Sequence, residues 1–284
     1  MTDDIPTPLV VPRDYPGIEL GEVSIDLDTG EIVDEWPELR PLAIRLVIMS
    51  RGRAKTMTSH ALFPTATLVV PNSEFEEYAA RFVACNIVKI PDAISGISAV
   101  RNWIVRRFPE DAIVMIDDDI KACVALVSLR CRKLLPDEIV AMIANTAHCA
   151  NGAGARLFGW HQRSDPKLLN RCDPFGLHHW VGGVLGVIGK ETRWDELLRC
   201  KCDIDACLTE FMERRIVWQD ARFCFVQERD KNLGGNSLFR SQDRIAVERR
   251  YLKSKWKGHI RFEEYKSQER VAIDVVRRQP VALG

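Results

Sequence analysis

The stretch Ala112–Ile120, AIVMIDDDI, decides how the rest of this chain is read. Five apolar residues run straight into three consecutive carboxylates, Asp117, Asp118 and Asp119, and an isoleucine follows at once. Adjacent negative charges repel, so a buried strand that ends in three of them needs a reason. A solvated acidic turn is one. A divalent cation is the other, because hard oxygen ligands and concentrated negative charge suit magnesium or manganese. The neighbouring segments discriminate between the two.

Upstream, Leu42–Met49 is apolar except for Arg45, the pattern of a strand buried on both faces. It ends in Ser50-Arg51-Gly52-Arg53. ATLVVP gives a second strand stopped by Pro71, with Asn72 or Ser73 placed to cap a following helix. NIVKIP gives a third, followed by an amphipathic helix from about Ile97 to Phe108, and AIVMI is the fourth. Strand, loop and helix alternate without tight hairpin signals, which predicts an α/β domain with a mostly parallel sheet flanked by helices. Ligands of such sheets bind beyond the carboxyl ends of the strands. The Asp triplet and the Ser50–Arg53 loop both fall there, so they should face one crevice. An arginine-rich loop beside carboxylates matches a metal-bound diphosphate, and the solvated-turn reading recedes. No G-x-G-x-x-G follows the first strand and no G-x-x-x-x-G-K-[ST] occurs, which argues against a Rossmann dinucleotide enzyme and a P-loop NTPase.

Over 284 residues, forty Lys and Arg balance forty Asp and Glu, so a nucleic-acid partner would need a local basic surface. RIAVERRYLKSKWKGHIRF (residues 244–262) and VVRRQP (275–280) supply such density. The nine cysteines are odd in number, scattered and without a C-x-x-C pair, as expected for reduced thiols. Cys172, His178 and His179 lack the second ligand pair a zinc site needs. With no signal-peptide pattern and no long apolar run, a soluble cytoplasmic protein without a membrane partner is expected. Residues 1–40, rich in Pro, Asp and Glu, read as a peripheral arm with a hairpin around Asp28-Thr29-Gly30. Residues 41–235 make the catalytic domain, and 236–284 a basic, aromatic segment packing on it.

These segments together resemble a glycosyltransferase of the A-type fold. SRGRA (50–54) is similar to the loop that receives the nucleotide, through Ser50, Arg51 and Arg53. AVRNWIV (99–105) resembles the helix whose Arg101 and Asn102 face the sugar nucleotide, and MIDDDI resembles the D-x-D element. The resemblance implies that Asp117 and Asp119 hold the metal, that Asp117 also meets the ribose, and that Asp118 lies beside the donor sugar. HHWVGGVLGVIGKETRWDE (178–196) resembles the segment that shapes the sugar and acceptor pocket. Gly182 and Gly183 would allow close backbone approach there, and Trp180 could stack on a sugar or base. KCDIDACLTEFMERR (201–215) resembles the x-E-D element, which makes Asp203 the general base and Asp205 the second candidate. Cys202 stands where an acidic residue is usual, and Asp203 could instead be a helix N-cap.

A narrower resemblance covers GISAVRNWIVRRF, MIDDDI, HHWVGGVLGVIGKE, QERDKNLGGNSLFR and ERRYLKSKWKGHI. These are similar to the phage TET-associated glycosyltransferases, a group associated with attaching sugars to 5-hydroxymethylcytosine in DNA. It implies manganese- or magnesium-dependent transfer from a nucleotide-diphosphate sugar, uridine diphosphate being the commonest carrier. On that reading Trp180, Asn236, Arg249, Arg250, Lys253, Lys255 and Trp256 meet the acceptor, basic groups pairing with phosphates and aromatics stacking on bases. A base inside a duplex must be extruded to reach the site. DKNLGGNSLFR has the composition of a lid. Asn232, Asn236 or His259 could complete the metal shell, and spacing selects none of them. Three rivals stand beside this reading. One is transfer to a small molecule, protein or polysaccharide. A second is a nucleotidyltransferase, which would want a glycine-rich triphosphate loop where SRGRA has a single Gly. A third is a catalytically dead binding module, against which the surviving carboxylates count.

Overall fold

The computed structural model describes residues 41–127, 130–162, 173–227, 241–265 and 268–275. The expected N-terminal arm, Cys172, the loop bearing Asn232 and Asn236, and Arg277 and Arg278 lie outside the described residues. The four strands expected from the sequence form as β1 (Ile44–Met49), β2 (Thr67–Pro71), β3 (Ile87–Ile90) and β4 (Ala112–Asp117). They pair in parallel in the order β3-β2-β1-β4. Helix α1 (Phe75–Arg81) joins β2 to β3, and α2 (Ile97–Arg107) joins β3 to β4. The expected cap of the first helix is not made. Ser73 gives both its backbone N–H and its hydroxyl to Asp92 Oδ1, at 3.1 and 2.7 Å, and a 3-10 turn over Asn72–Glu74 leads into α1.

Period-two alternation sends β4 side chains to both faces. Ile113 and Met115 join the layer that holds α2, whereas Val114 and Ile116 join the layer that holds Tyr78 of α1. The first layer also receives α4 (Cys202–Glu213) through Cys207, Leu208 and Phe211; the second receives α3 (Pro136–Gly152) through Ile139, Ile143 and Ala147. Burying a side chain of this size contributes about 1.5–3 kcal/mol. Four of them outweigh one unscreened contact between neighbouring carboxylates, about 4 kcal/mol at 4 Å near a surface. The strand can therefore end in charge.

The remaining strands of this sheet are β5 (Ile120–Val127), β6 (Arg130–Lys133), β7 (Leu157–His161), β8 (Phe175–Gly176), β9 (Val184–Ile188) and β10 (Trp218–Gln227). Here the sheet becomes mixed: β9 runs antiparallel to β4 and to β7, and β10 runs parallel to β7 and antiparallel to β5. Because β9 is reversed, its start lies at the carboxyl end of β4. The Asp117 N–H donates to the Gly183 carbonyl at 3.2 Å. Further along, α5 (Gln242–Lys255) is capped by Ser241, whose hydroxyl accepts the Arg244 N–H at 3.1 Å, and a hairpin of β11 (Ile260–Tyr265) and β12 (Gln268–Ile273) follows. The described cysteines carry no disulfide, and among the described residues no helix is long and apolar enough to cross a membrane.

Helix α5 is fixed to α4 by buried acids. Glu248 accepts the backbone N–H groups of Arg199, Cys200 and Lys201 at 2.9–3.0 Å. Asp205, only 2% exposed, accepts the Trp256 indole N–H at 2.7 Å and the Lys255 ammonium at 2.9 Å. Asp205→Ala strands an indole N–H, while the Lys255 ammonium, about one-third open to solvent, keeps Asp195 as a partner at 3.0 Å. We expect a loss of about 1–3 kcal/mol, read as a lower urea midpoint. An unchanged midpoint would mean that Asp205 does not anchor α5.

Candidate functional site

Parallel pairing aligns Met49 with Asp117, so the residues just past each strand end, Ser50 and Asp118, meet. The Ser50 hydroxyl donates to Asp118 Oδ2 at 2.7 Å, and Arg53 Nη1 holds Asp118 Oδ1 at 2.7 Å. Tyr78 closes the ring: its hydroxyl lies 2.6 Å from Ser50 Oγ and accepts the Arg53 backbone N–H at 3.1 Å. Burial pushes that phenol up to about 12, so it stays protonated and able to donate. Both oxygens of Asp118 are thus occupied in holding the Ser50–Arg53 loop. Ser59, fully buried, stitches the acidic turn, donating to the Asp117 carbonyl at 2.5 Å and accepting the Ile120 N–H at 2.9 Å.

Asp117 and Asp119 point elsewhere. Gln227 Nε2 donates to Asp117 Oδ2 and to Asp119 Oδ1, at 2.8 Å each, so the two carboxylates converge on one point. Burial pushes the Asp117 carboxyl up to about 7 against the pull of Arg101, and the charges of Asp119, Asp203 and Asp118 push the same way. Its side chain keeps 27% of its surface open, and solvent tempers that shift. Burial also raises the Asp119 carboxyl, opposed by the Gln227 hydrogen bond. Among the described residues no three His, Cys, Asp or Glu side chains are grouped to hold a metal.

Arg101, buried on α2, pairs with Asp203 of α4 and lies 4.0 Å from Asp117 Oδ1, so one guanidinium links a strand-end carboxylate to a helix-start carboxylate. Asp203 is not the N-cap. Lys201 occupies that position, and Asp203 sits in the first turn with a quarter of its side chain open. The two glycines separate these acids. A Cβ on Gly182 would lie 2.8 Å from Asp203 Oδ2 and 3.2 Å from the Trp180 ring; one on Gly183, at φ +73°, would lie 3.3 Å from Gln227 Oε1. Beside them a small open cleft is lined by Ile120, Trp160, His161, Gln162, Gly183 and Gln227.

Other sequence candidates are placed outside this crevice. Asn102 braces the loop after β9, its amide nitrogen donating to the Trp194 carbonyl at 2.8 Å and its oxygen accepting the Trp194 N–H at 2.9 Å. Arg51 reaches the Asp92 carbonyl at 3.3 Å. His259 Nδ1 lies 2.9 Å from the Asp274 carbonyl, at the base of the C-terminal hairpin. Asp205, Lys255 and Trp256 form the α4–α5 seam. Arg250 and Lys253 are exposed, while Arg249, Lys253 and Lys201 all lie within 6.0 Å of the Phe262 ring centre. Gln227, Ser59 and Tyr78 were not expected. No spacing rule joins them to the Asp triplet; only strand pairing and helix packing do.

The family model described as TET-associated glycosyltransferase matches residues 44–235. No curated protein sequence matches the chain. Among solved structures, glucosyl-3-phosphoglycerate synthase from Mycobacterium tuberculosis, in complex with Mn2+, uridine diphosphate and phosphoglyceric acid, is 14% identical with a TM-score of 0.50, covering 83% of this chain and 88% of that one. Residues 1–349 of S. aureus TarS are 7% identical with a TM-score of 0.42, covering 64% and 60%. The mycobacterial likeness shows a shared fold. With two-thirds of its length matched by one family model, the chain belongs to the TET-associated glycosyltransferases and is a nucleotide-sugar-dependent glycosyltransferase of the A-type fold.

Proposed function

We propose that the protein transfers a sugar from a uridine-diphosphate donor to the hydroxymethyl group of 5-hydroxymethylcytosine in DNA, with manganese or magnesium held by Asp117 and Asp119. The observation that carries the cation is the convergence of two carboxylate oxygens on a single N–H donor, each 2.8 Å away. Hard divalent ions favour such oxygen pairs. When bound, the ion supplies Lewis-acid stabilisation of the departing diphosphate. The solved mycobacterial structure contains Mn2+ and uridine diphosphate, which is consistent with this choice.

The chain's own residues take distinct parts. The Ser50–Arg53 loop, held in place by Asp118, receives the nucleotide. Gly182 and Gly183 let the donor sugar lie against the backbone between the two acidic groups. Asp203 takes the proton from the acceptor hydroxyl as that oxygen bonds to the anomeric carbon and the sugar–phosphate bond breaks. Arg101 orients this carboxylate, and Trp180 walls the acceptor side. Asp205 is excluded from the base role by its engagement with Trp256 and Lys255, and those two side chains are withdrawn from acceptor contact by the same bonds. Acceptor DNA then rests on the exposed Arg250 and Lys253, beside the Arg249–Phe262 cluster. A formal net charge of zero favours the rival reading, transfer to a small molecule, which the DNA measurements below decide.

Asp119→Ala should abolish divalent-dependent binding of uridine diphosphate in calorimetry while leaving the melting temperature close to wild type. Binding that is the same with and without metal in this variant would remove Asp119 from the cation site.

Asp203→Asn preserves size, so donor binding should persist while transfer falls by roughly 10²-fold or more, as loss of a general base implies. Wild-type turnover in Asp203→Asn would place the base elsewhere.

Arg250→Ala/Lys253→Ala should weaken binding to a hydroxymethylated duplex and reduce the log–log salt slope by about 0.9 per lost phosphate contact. Donor binding should be untouched. No measurable affinity of the wild-type protein for DNA would shift the acceptor to small molecules or proteins.

A further inference from the structure

The geometry points to Gln227 as the residue that completes the cation site. Its amide N–H bridges the two carboxylates, and the same amide turned over would present Oε1 beside them as a third protein oxygen. This rests on the cation assignment to Asp117 and Asp119 made above, and goes beyond it in naming the ligand and the movement.

Three observations carry it. The first is position. Gln227 Nε2 stands 2.8 Å from one oxygen of each carboxylate, which is where a shared cation belongs. An N–H donor facing a divalent ion is repelled, so the amide cannot keep this orientation once the ion is present. A carboxamide carries its oxygen and nitrogen on one carbon, and its terminal torsion is broad and roughly two-fold. A half-turn therefore brings Oε1 to the place Nε2 left, and amide oxygens are accepted hard ligands.

The second is aim. Gln227 is the last residue of β10, opposite Ile120, the residue that follows the Asp triplet, and the β10–β5 register shifts between Val226 and Gln227. A bulge there re-aims one side chain, a device common beside functional sites. The third is room. The nearest atom to a Cβ built on Gly183 is Gln227 Oε1, at 3.3 Å, so any larger residue at 183 would crowd the turning amide. The supply of partners agrees with all three. Among the described residues no third His, Cys, Asp or Glu is grouped with the two carboxylates, and a neutral third ligand leaves two negative charges to match a divalent ion.

The same amide can tie the two like charges together through its N–H or meet the ion through its oxygen. A residue that only occupied the site would compete with the ion, and its removal would tighten binding. A ligand does the opposite.

The test is Mn2+ binding to the full chain, read as loss of the free-ion electron paramagnetic resonance signal, with and without uridine diphosphate. Gln227→Leu should weaken Mn2+ binding by about 10-fold or more, at least the loss seen when outer-shell partners of metal ligands are removed. Gln227→Glu, close in size and always presenting oxygen, should bind Mn2+ at least as tightly as wild type. Urea midpoints within the wild-type range show that both variants are folded; should Gln227→Leu not fold, the Gln227→Glu comparison with wild type decides alone. Gln227→Leu binding as tightly as wild type or tighter, or Gln227→Glu binding more weakly than wild type, overturns the ligand assignment while the two-carboxylate site stands. Wild-type protein that takes up no Mn2+ in either condition removes the cation site itself, and this inference with it.

Discussion

Three adjacent carboxylates at the end of a buried strand cannot share one environment, and the architecture of the site follows from giving each its own partners. Asp118 turns back onto Ser50 and Arg53, where its charge is neutralised by a guanidinium and its oxygens are filled. Asp117 faces Arg101 and the Gln227 amide; Asp119 faces the same amide, with Arg53 3.8 Å away. Two arginines and one amide thus disperse three like charges. The middle acid organises the Ser50–Arg53 loop, which frees the outer two to converge. A D-x-D element described only by its outer residues omits what the central one does: here it fixes the loop that must lie opposite them.

The same division recurs on α4. Positions two apart on a helix do not face each other. Asp203 accordingly turns toward Arg101 and the crevice, and Asp205 toward Trp256 and Lys255 of α5. Sequence could name both acids as base candidates because each stands near the start of one amphipathic helix. The resemblance placed Asp203 first and Asp205 second; the phase of that helix against the sheet, which turns them apart, is a tertiary fact.

Other parts of the molecule divide along the same line. The strands β1 to β4 and helix α2 were legible because the strands read as short, mostly apolar runs, buried throughout in β2 and nearly so in β4, and the helix between Gly96 and Phe108 has clear ends. The location of the Asp triplet and the Ser50 loop at one edge followed from parallel order alone. The reversal of β9 was not legible: VLGVI has the composition of any buried strand, and no short turn announces an antiparallel partner. Yet that reversal is what delivers Gly182 and Gly183 to the carboxyl end of β4. Gln227 lay hidden for a related reason. It is separated from the Asp triplet by more than 100 residues, and only the β10–β5 pairing brings them together. Lys255 and Trp256 misled in the opposite way. A basic-aromatic pair on a helix suggests nucleic acid, but the same groups satisfy a buried acid, and composition does not separate these uses.

The seam between α4 and α5 ties the two ends of the proposed reaction together. Glu248 accepts three successive backbone N–H groups at residues 199–201, immediately ahead of α4. Of these donors the Lys201 N–H belongs to the helix start itself, where a carboxylate is also favoured by the helix dipole. Asp203 follows two residues later, so its placement depends on a carboxylate contributed by α5. The same α5 carries Arg250 and Lys253 on its exposed side. A force on that outer face reaches Asp203 through one buried acid and three backbone bonds. Under the proposed function, acceptor contact and base geometry are set by one rigid helix, and substitutions in the seam should disturb transfer even where they touch neither donor nor acceptor.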